Sequence, residues 1–68
     1  MINIGGDKLV FKNDIVGIFE YSMLESNILP KAEYLGKPPY KACVVLSDKV
    51  YYTTLSVRTL SVRLKKSN

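Results

Sequence analysis

The chain contains a single cysteine and no histidine in 68 residues. A domain this short buries only about 60% of the surface that its unfolded chain exposes, so small domains often depend on a disulfide, a bound metal or oligomerisation. One cysteine excludes an internal disulfide, and one cysteine alone cannot make a tetrahedral zinc site. We therefore expect a single domain spanning residues 1–68, without a metal or other cofactor, that forms a homo-oligomer.

The residues after the start of the chain lack the basic and apolar segments of a signal peptide. No apolar run approaches the roughly 20 residues that a membrane-spanning helix needs. A lone free cysteine is typical of a reducing compartment. We expect a cytoplasmic protein without a membrane partner.

Two hairpins and a separate strand are predicted. Residues 2–4 and 9–11 favour short strands, and Gly5, Gly6 and Asp7 between them favour a turn. Residues 15–19 are apolar on both alternating faces except at Gly17, which predicts a central strand with a group packed closely over the glycine. Residues 41–55 predict the second hairpin, because two β-prone runs flank a tight turn.

Helices are expected in the middle and at the end of the chain. Ser22 is a candidate cap for a short middle helix, and Ala32, Tyr34 and Leu35 are spaced to continue a helical face. Ser56 is a candidate cap for a C-terminal helix whose apolar stripe comprises Val57, Leu60 and Leu64. Together these elements predict an α+β fold with a small sheet of about five strands, a short middle helix and a C-terminal helix.

Residues that carry catalysis are scarce. Without histidine there is no Ser-His or Cys-His pair, and Gly5-Gly6 is too short for a phosphate-binding loop. Cys43 lies among apolar residues of a predicted strand, where a buried thiol has no base to activate it. The acidic residues fall in turns or on predicted solvent faces. We therefore expect neither enzymatic activity nor a small-molecule substrate.

The formal net charge is +4, from ten basic and six acidic residues. The excess is concentrated in the second half, since four basic residues and no acid follow position 57. Phosphate binding requires several cations on one surface. An ordinary solvated surface would have the same composition, so both interpretations stay open. The candidate phosphate-binding residues are Lys37, Lys41, Lys49, Arg58 and Arg63.

The hydrophobic blocks at residues 2–10, 15–19, 44–51 and 55–60 resemble the RemA/RemB family of bacterial extracellular-matrix regulators, and the RemB branch more closely. The resemblance implies a fold like the β-sheet DNA-binding domain of LytTR response regulators. It also implies a cytoplasmic transcriptional regulator of matrix or biofilm genes, which binds double-stranded DNA as a homo-oligomeric ring. A ring would repeat one basic patch and gain avidity.

The resemblance carries over only in part. Lys37 matches a basic family position and Lys41 lies close by, whereas Pro38 and Tyr40 replace residues that are basic in the RemA branch. Asp14 also stands where that branch has a cation, and a carboxylate there would repel phosphate.

A second hypothesis is a protein-interaction or structural module without a nucleic-acid partner. It is favoured by the acid at position 14 and by the tyrosines that could supply an aromatic surface, which are Tyr34, Tyr40, Tyr51 and Tyr52. RNA binding is a weaker alternative, because the chain has no aromatic-glycine motif of the RNA-recognition type.

Overall fold

The computed structural model describes residues 1–23 and 32–66. Six strands and one helix are present in these ranges, together with 3-10 turns at Lys12–Asp14 and Tyr21–Met23. The strands and helix are β1 (Ile2–Asn3), β2 (Leu9–Val10), β3 (Ile15–Glu20), β4 (Ala32–Leu35), β5 (Ala42–Leu46), β6 (Val50–Thr53) and α1 (Val57–Lys66).

The main sheet is mixed and has the strand order β3-β5-β6-β4. β5 is antiparallel to both β3 and β6, and β4 joins the other edge of β6 in parallel. β1 and β2 form a separate antiparallel pair. The predicted α+β class is confirmed, with its strands divided between two sheets.

The two predicted hairpins are confirmed. Gly5, Gly6 and Asp7 all adopt positive φ in the turn between β1 and β2, and the Gly5 amide donates to Asn3 Oδ1 at 2.8 Å. In the second hairpin the β5–β6 register runs from Ala42 opposite Thr53 to Val45 opposite Val50. These local turns follow directly from the glycines and from the β-branched and aromatic runs beside them.

One face of the sheet packs against α1 and the β1–β2 hairpin. The buried side chains on this face come from α1, from the β1–β2 hairpin and from alternate positions of β5 and β6, because successive side chains of a strand point to opposite faces of a sheet. This cluster of buried side chains comprises Ile2, Ile4, Val10, Ala42, Val44, Tyr51 and Leu60. Val57 and Leu64 of the predicted helical stripe pack at its margin.

The opposite face of the sheet has a second, smaller cluster. Cys43, Val50 and Tyr52 are buried there, with Tyr40 and Val45 partly buried beside them. Both faces of the β5–β6 hairpin are therefore covered, which explains why its four β6 residues are all buried.

The prediction that residues 15–19 form a central strand is wrong. β3 is an edge strand that pairs only with β5 among the described strands, and Val16 is 69% exposed. A bulge separates Ile15 from Gly17 in the register. The expected close approach over Gly17 does occur, because the ring of Phe19 occupies the space that a β-carbon would need.

The proposed continuation of a helix through Ala32, Tyr34 and Leu35 is also wrong. These residues form β4, and Leu35 pairs with Thr53 of β6. The parallel partner of β4 is distant in the sequence, so no local sequence pattern indicates this strand. The spacing of the apolar residues therefore favoured a helix. The middle helix predicted after Ser22 lies mostly outside the described residues.

Helix α1 begins where the sequence predicts. Ser56 Oγ accepts a hydrogen bond from the Thr59 amide at 3.1 Å, which satisfies one of the free donors of the first turn. Leu60 is buried, whereas Arg58 and Arg63 are exposed. In the part of the chain that the structure describes, no helix is long and apolar enough to cross a membrane.

Candidate functional site

Three of the five candidate cations lie at one end of the main sheet. Lys37 follows β4, Lys41 precedes β5, and Arg58 lies in the first turn of α1 after β6. The register places all three chain segments together, because both Leu35 and Ala42 are opposite Thr53. The Lys41 amide donates to the Thr53 carbonyl at 2.8 Å, which continues the pairing one residue further. We call this region the cationic end of the sheet.

All three of these side chains are exposed. Neither Lys41 nor Arg58 has an ion-pair partner among the described residues. Arg58 and Lys65 are seven positions apart, about two helical turns, so they lie on the same side of α1. Since α1 contains no acidic residue, positive charge extends from the cationic end along the exposed side of the helix.

A cleft of about 370 Å³ opens between Lys41 and Arg58. Its wall combines cations, aromatic rings, hydroxyl groups and one carboxylate. The lining residues are Glu20, Tyr21, Ser22, Tyr40, Lys41, Ser56, Val57 and Arg58. The Tyr21 amide donates to the Lys41 carbonyl at 3.0 Å, so the end of β3 is tied to the start of β5 beneath the cleft.

Four tyrosines form a connected cluster beside this cleft. The buried ring of Tyr52 lies 5.0 Å from that of Tyr21 in an edge-on arrangement and 5.1 Å from that of Tyr34. Tyr40 lies 5.2 Å from Tyr34 and 6.0 Å from Tyr21. The Tyr40 hydroxyl donates to the Gly36 carbonyl at 2.8 Å, which holds that ring in place. These separations fall within the range of favourable aromatic pairs.

Burial raises the pKa of the Tyr52 phenol, and the neighbouring Cys43 thiol raises it further. Burial also raises the pKa of Cys43. Both groups are therefore neutral near pH 7, and the thiol has little of the thiolate character that nucleophilic chemistry requires. Among the described residues, no group of three or more His, Cys, Asp or Glu residues is placed to hold a metal ion.

Lys49 lies at the other end of the β5–β6 hairpin. Its ammonium donates to Glu33 at 2.6 Å and lies 6.0 Å from the centre of the Tyr51 ring. The hydrogen bond and the opposite charge raise the pKa of Lys49 and lower the pKa of Glu33. Because Glu33 offsets its charge, Lys49 is the weakest of the five candidates for a phosphate contact.

Arg63 lies towards the far end of α1. Its guanidinium donates to the Asn3 carbonyl at 2.7 Å, and with Lys66 and Met1 it borders a second, shallow cleft of about 380 Å³. The carbonyl leaves the positive charge of Arg63 uncompensated. Arg63 lies five positions after Arg58 on α1, about 1.4 helical turns further from the cationic end.

Asp14 lies at the end of the sheet opposite Lys41. It directly precedes Ile15, which pairs with Leu46 near the Ser47–Lys49 turn. Its carboxylate is therefore remote from the cationic end.

Sequence reasoning missed Glu20 and Tyr21 as part of the site. They reach the cleft because β3 pairs with β5 until Glu20 lies opposite Ala42. Neither residue stands in a recognisable motif, so no local signal could have identified them. Tyr40 was noted as aromatic surface, and its position next to Lys41 in the chain was the one available indication that an aromatic ring borders the cations.

No family model, curated protein or solved structure matches the chain.

Proposed function

We propose that this protein is a DNA-binding regulator of the RemA/RemB type, which acts in the cytoplasm as a homo-oligomeric ring and contacts the phosphates of double-stranded DNA. The observation that carries the proposal is the grouping of Lys37, Lys41 and Arg58 at the cationic end of the sheet. Among the described residues, no carboxylate forms an ion pair with any of these three cations. Phosphate binding requires several such cations on one surface.

The contacts are mainly to the phosphate backbone. Lysine provides a point charge, so Lys37 and Lys41 favour phosphates without reading bases. Arg58 adds a planar fork that can bind a phosphate through two hydrogen bonds. Binding is therefore weakly sequence-specific and strongly dependent on salt.

Oligomerisation supplies the affinity that one chain lacks. Three cations per chain neutralise few phosphates, whereas a ring presents the same surface repeatedly to a bent or wrapped duplex. Of the other two candidates, Arg63 is a secondary contact because it lies near the far end of α1, and Lys49 adds little because it is paired with Glu33.

The test is fluorescence anisotropy of a labelled duplex, titrated with protein at salt concentrations between about 50 and 200 mM. Each phosphate contact adds about 0.9 to the magnitude of the slope of log affinity against log salt. We expect the double substitution Lys41→Ala/Arg58→Ala to weaken binding to every sequence. It should also reduce the slope by about 2 for each engaged chain.

Lys49→Ala is the matched control. It removes one exposed cation from the opposite end of the hairpin, where Glu33 already offsets the charge, and we expect affinity to change by less than about twofold. Equal binding by wild type and the double variant at every salt concentration would show that the cationic end is not the DNA surface.

A protein-interaction module is the second candidate. It is favoured by exposed apolar side chains on β3 and β4, since Val16, Phe19 and Tyr34 are 69%, 44% and 58% exposed. If wild type binds neither double-stranded nor single-stranded DNA even at the lowest salt concentration, this candidate replaces the first.

A further inference from the structure

We infer that the cleft between Lys41 and Arg58 receives an unpaired nucleotide of a single-stranded segment, with its phosphate near the two cations and its base against the tyrosines. The inference rests on the proposed function for its phosphate contacts. It goes further because it assigns base contacts, and therefore a preference for unpaired over paired strands, to the same end of the sheet.

The composition of the cleft points to a ligand that is both anionic and aromatic. Its volume of about 370 Å³ lies within the range of small-ligand sites, which is about 300–1,000 Å³. Lys41 and Arg58 can hold an anion, while Tyr21 and Tyr40 present rings on the same wall. A nucleotide joins a phosphate to a planar base over the dimensions of such a site.

The tyrosine cluster is arranged in advance to stack a base. Tyr52 is buried at its centre, Tyr40 is held by its hydrogen bond to Gly36, and Tyr21 is 38% exposed at the cleft. Little side-chain freedom is then lost when a base binds. Base–aromatic stacking tolerates any sequence, because every base has a π face.

The carboxylate of Glu20 makes the cleft better suited to an unpaired nucleotide than to a simple anion or a duplex. This carboxylate repels a second phosphate, but it can accept a hydrogen bond from an amino group of a base. In a duplex the bases are stacked on each other, so their faces cannot reach Tyr21. An unpaired base offers both its face and its Watson–Crick edge.

The test compares one mixed-sequence oligonucleotide as a single strand and as a duplex with its complement, by anisotropy. We expect Tyr21→Leu to weaken single-strand binding at least about fivefold, the lower limit for losing one stacked base. Duplex binding should change by less than about twofold, since phosphate contacts remain. Tyr21→Phe keeps the ring and should bind as wild type does. Phe11→Leu is the control for an exposed aromatic side chain outside the cleft.

A second measurement uses the wild-type protein, in case Tyr21→Leu disturbs the packing of Tyr52. Four of the five tyrosines belong to this cluster and the chain has no tryptophan, so most of its fluorescent rings lie beside the cleft. We expect quenching by the single strand and little by the duplex. Equal quenching by both, or unchanged single-strand binding by a folded Tyr21→Leu, would overturn the inference. Quenching by dCMP as strong as by the oligonucleotide, at equal nucleotide concentration, would overturn the assignment to a strand in favour of a free nucleotide.

The two proposals fail separately. If Lys41→Ala/Arg58→Ala loses duplex binding while Tyr21→Leu leaves single-strand binding unchanged, the stacked nucleotide is refuted and the phosphate surface is supported. Single-strand binding that depends on Tyr21, without any duplex binding, refutes the double-stranded DNA regulator and supports the stacked nucleotide.

Discussion

Gly5 is the residue whose identity the fold requires most directly. Its φ is +118°, a value that side chains rarely adopt, and a β-carbon there would collide with the hydroxyl of Thr53. Thr53 is fully buried in β6, and its hydroxyl accepts a hydrogen bond from the Leu55 amide, so it has no room to move. The β1–β2 turn can therefore approach the main sheet only with glycine at this position.

We expect Gly5→Ala to lower the free energy of unfolding by about 2 to 4 kcal/mol, from backbone strain and overpacking together. Gly6→Asn is the matched control in the same turn. Gly6 has φ +56°, which asparagine tolerates, so that change should cost about 1 kcal/mol or less. Urea denaturation of both variants measures the difference. Similar losses in the two would show that Thr53 yields to the added carbon.

Because of Cys43 and Tyr52, we expect the free energy of unfolding to vary with pH in the alkaline range. The two residues are directly paired across β5 and β6, and burial raises the pKa of each above its ordinary value. Below the ordinary thiol pKa of 9.0 both groups are protonated in the folded and unfolded chains. At higher pH the unfolded chain releases these protons first, which favours unfolding.

We therefore expect the free energy of unfolding to fall as pH rises above about 9, and to fall less steeply in Cys43→Ala. Urea denaturation at a series of pH values provides the measurement. Tyr52→Phe should flatten the curve at somewhat higher pH, because the ordinary pKa of its phenol is 10.0. Identical slopes in wild type and both variants would assign the pH dependence to other groups.

At the scale of elements, the sequence correctly predicted the features that are determined by residues close together in the chain. The Gly5–Gly6 turn, the β5–β6 hairpin and the Ser56 cap all depend on residues within a few positions of each other. β3 was placed at the centre of the sheet because its apolar composition cannot distinguish a central strand from an exposed edge. β4 was missed because its pairing is parallel and its partner lies 18 positions away in the register.

The candidate site shows the same difference between what local sequence reveals and what only the fold reveals. Lysines and arginines could be selected from composition, but their grouping could not. Lys37, Lys41 and Arg58 lie at the same end of the sheet only because β4 and β6 end there and β5 begins there. Lys49 was a candidate by composition, and only the β4–β6 register reveals that Glu33 neutralises it.

The position of β5 between two antiparallel neighbours predicts where the fold is most protected. Val44 and Val45 lie in the interior of β5, with partners on both sides, whereas Val16 lies at the bulge of the exposed edge strand β3. We expect the amides of Val44 and Val45 to exchange at least about tenfold more slowly than that of Val16. Hydrogen exchange followed by NMR tests this. Faster exchange in β5 than in β3 would contradict the strand order.

At the scale of the whole molecule, the described sheet has open edges. Among the described strands, β3 pairs only with β5 and β4 only with β6, so neither has a strand partner there on its outer side. Natural proteins usually protect such edges with charge or cover them. β3 instead exposes Val16 and Phe19. An exposed edge with apolar side chains, on a chain too short to bury a large core, favours association with further copies of the same chain.

The last prediction concerns that association. We expect the protein to form an assembly of more than two 7.7 kDa chains, and light scattering during size-exclusion chromatography measures its mass. Val16→Lys places a charge on the β3 edge and should shift the population towards monomer, because a buried unpaired ammonium opposes strand-to-strand contact. Leu9→Lys is the control, since Leu9 is 52% exposed on β2, which belongs to the separate β1–β2 pair. An unchanged mass in Val16→Lys would exclude β3 as the contact. A folded wild-type monomer would remove the avidity on which DNA binding by three cations per chain depends.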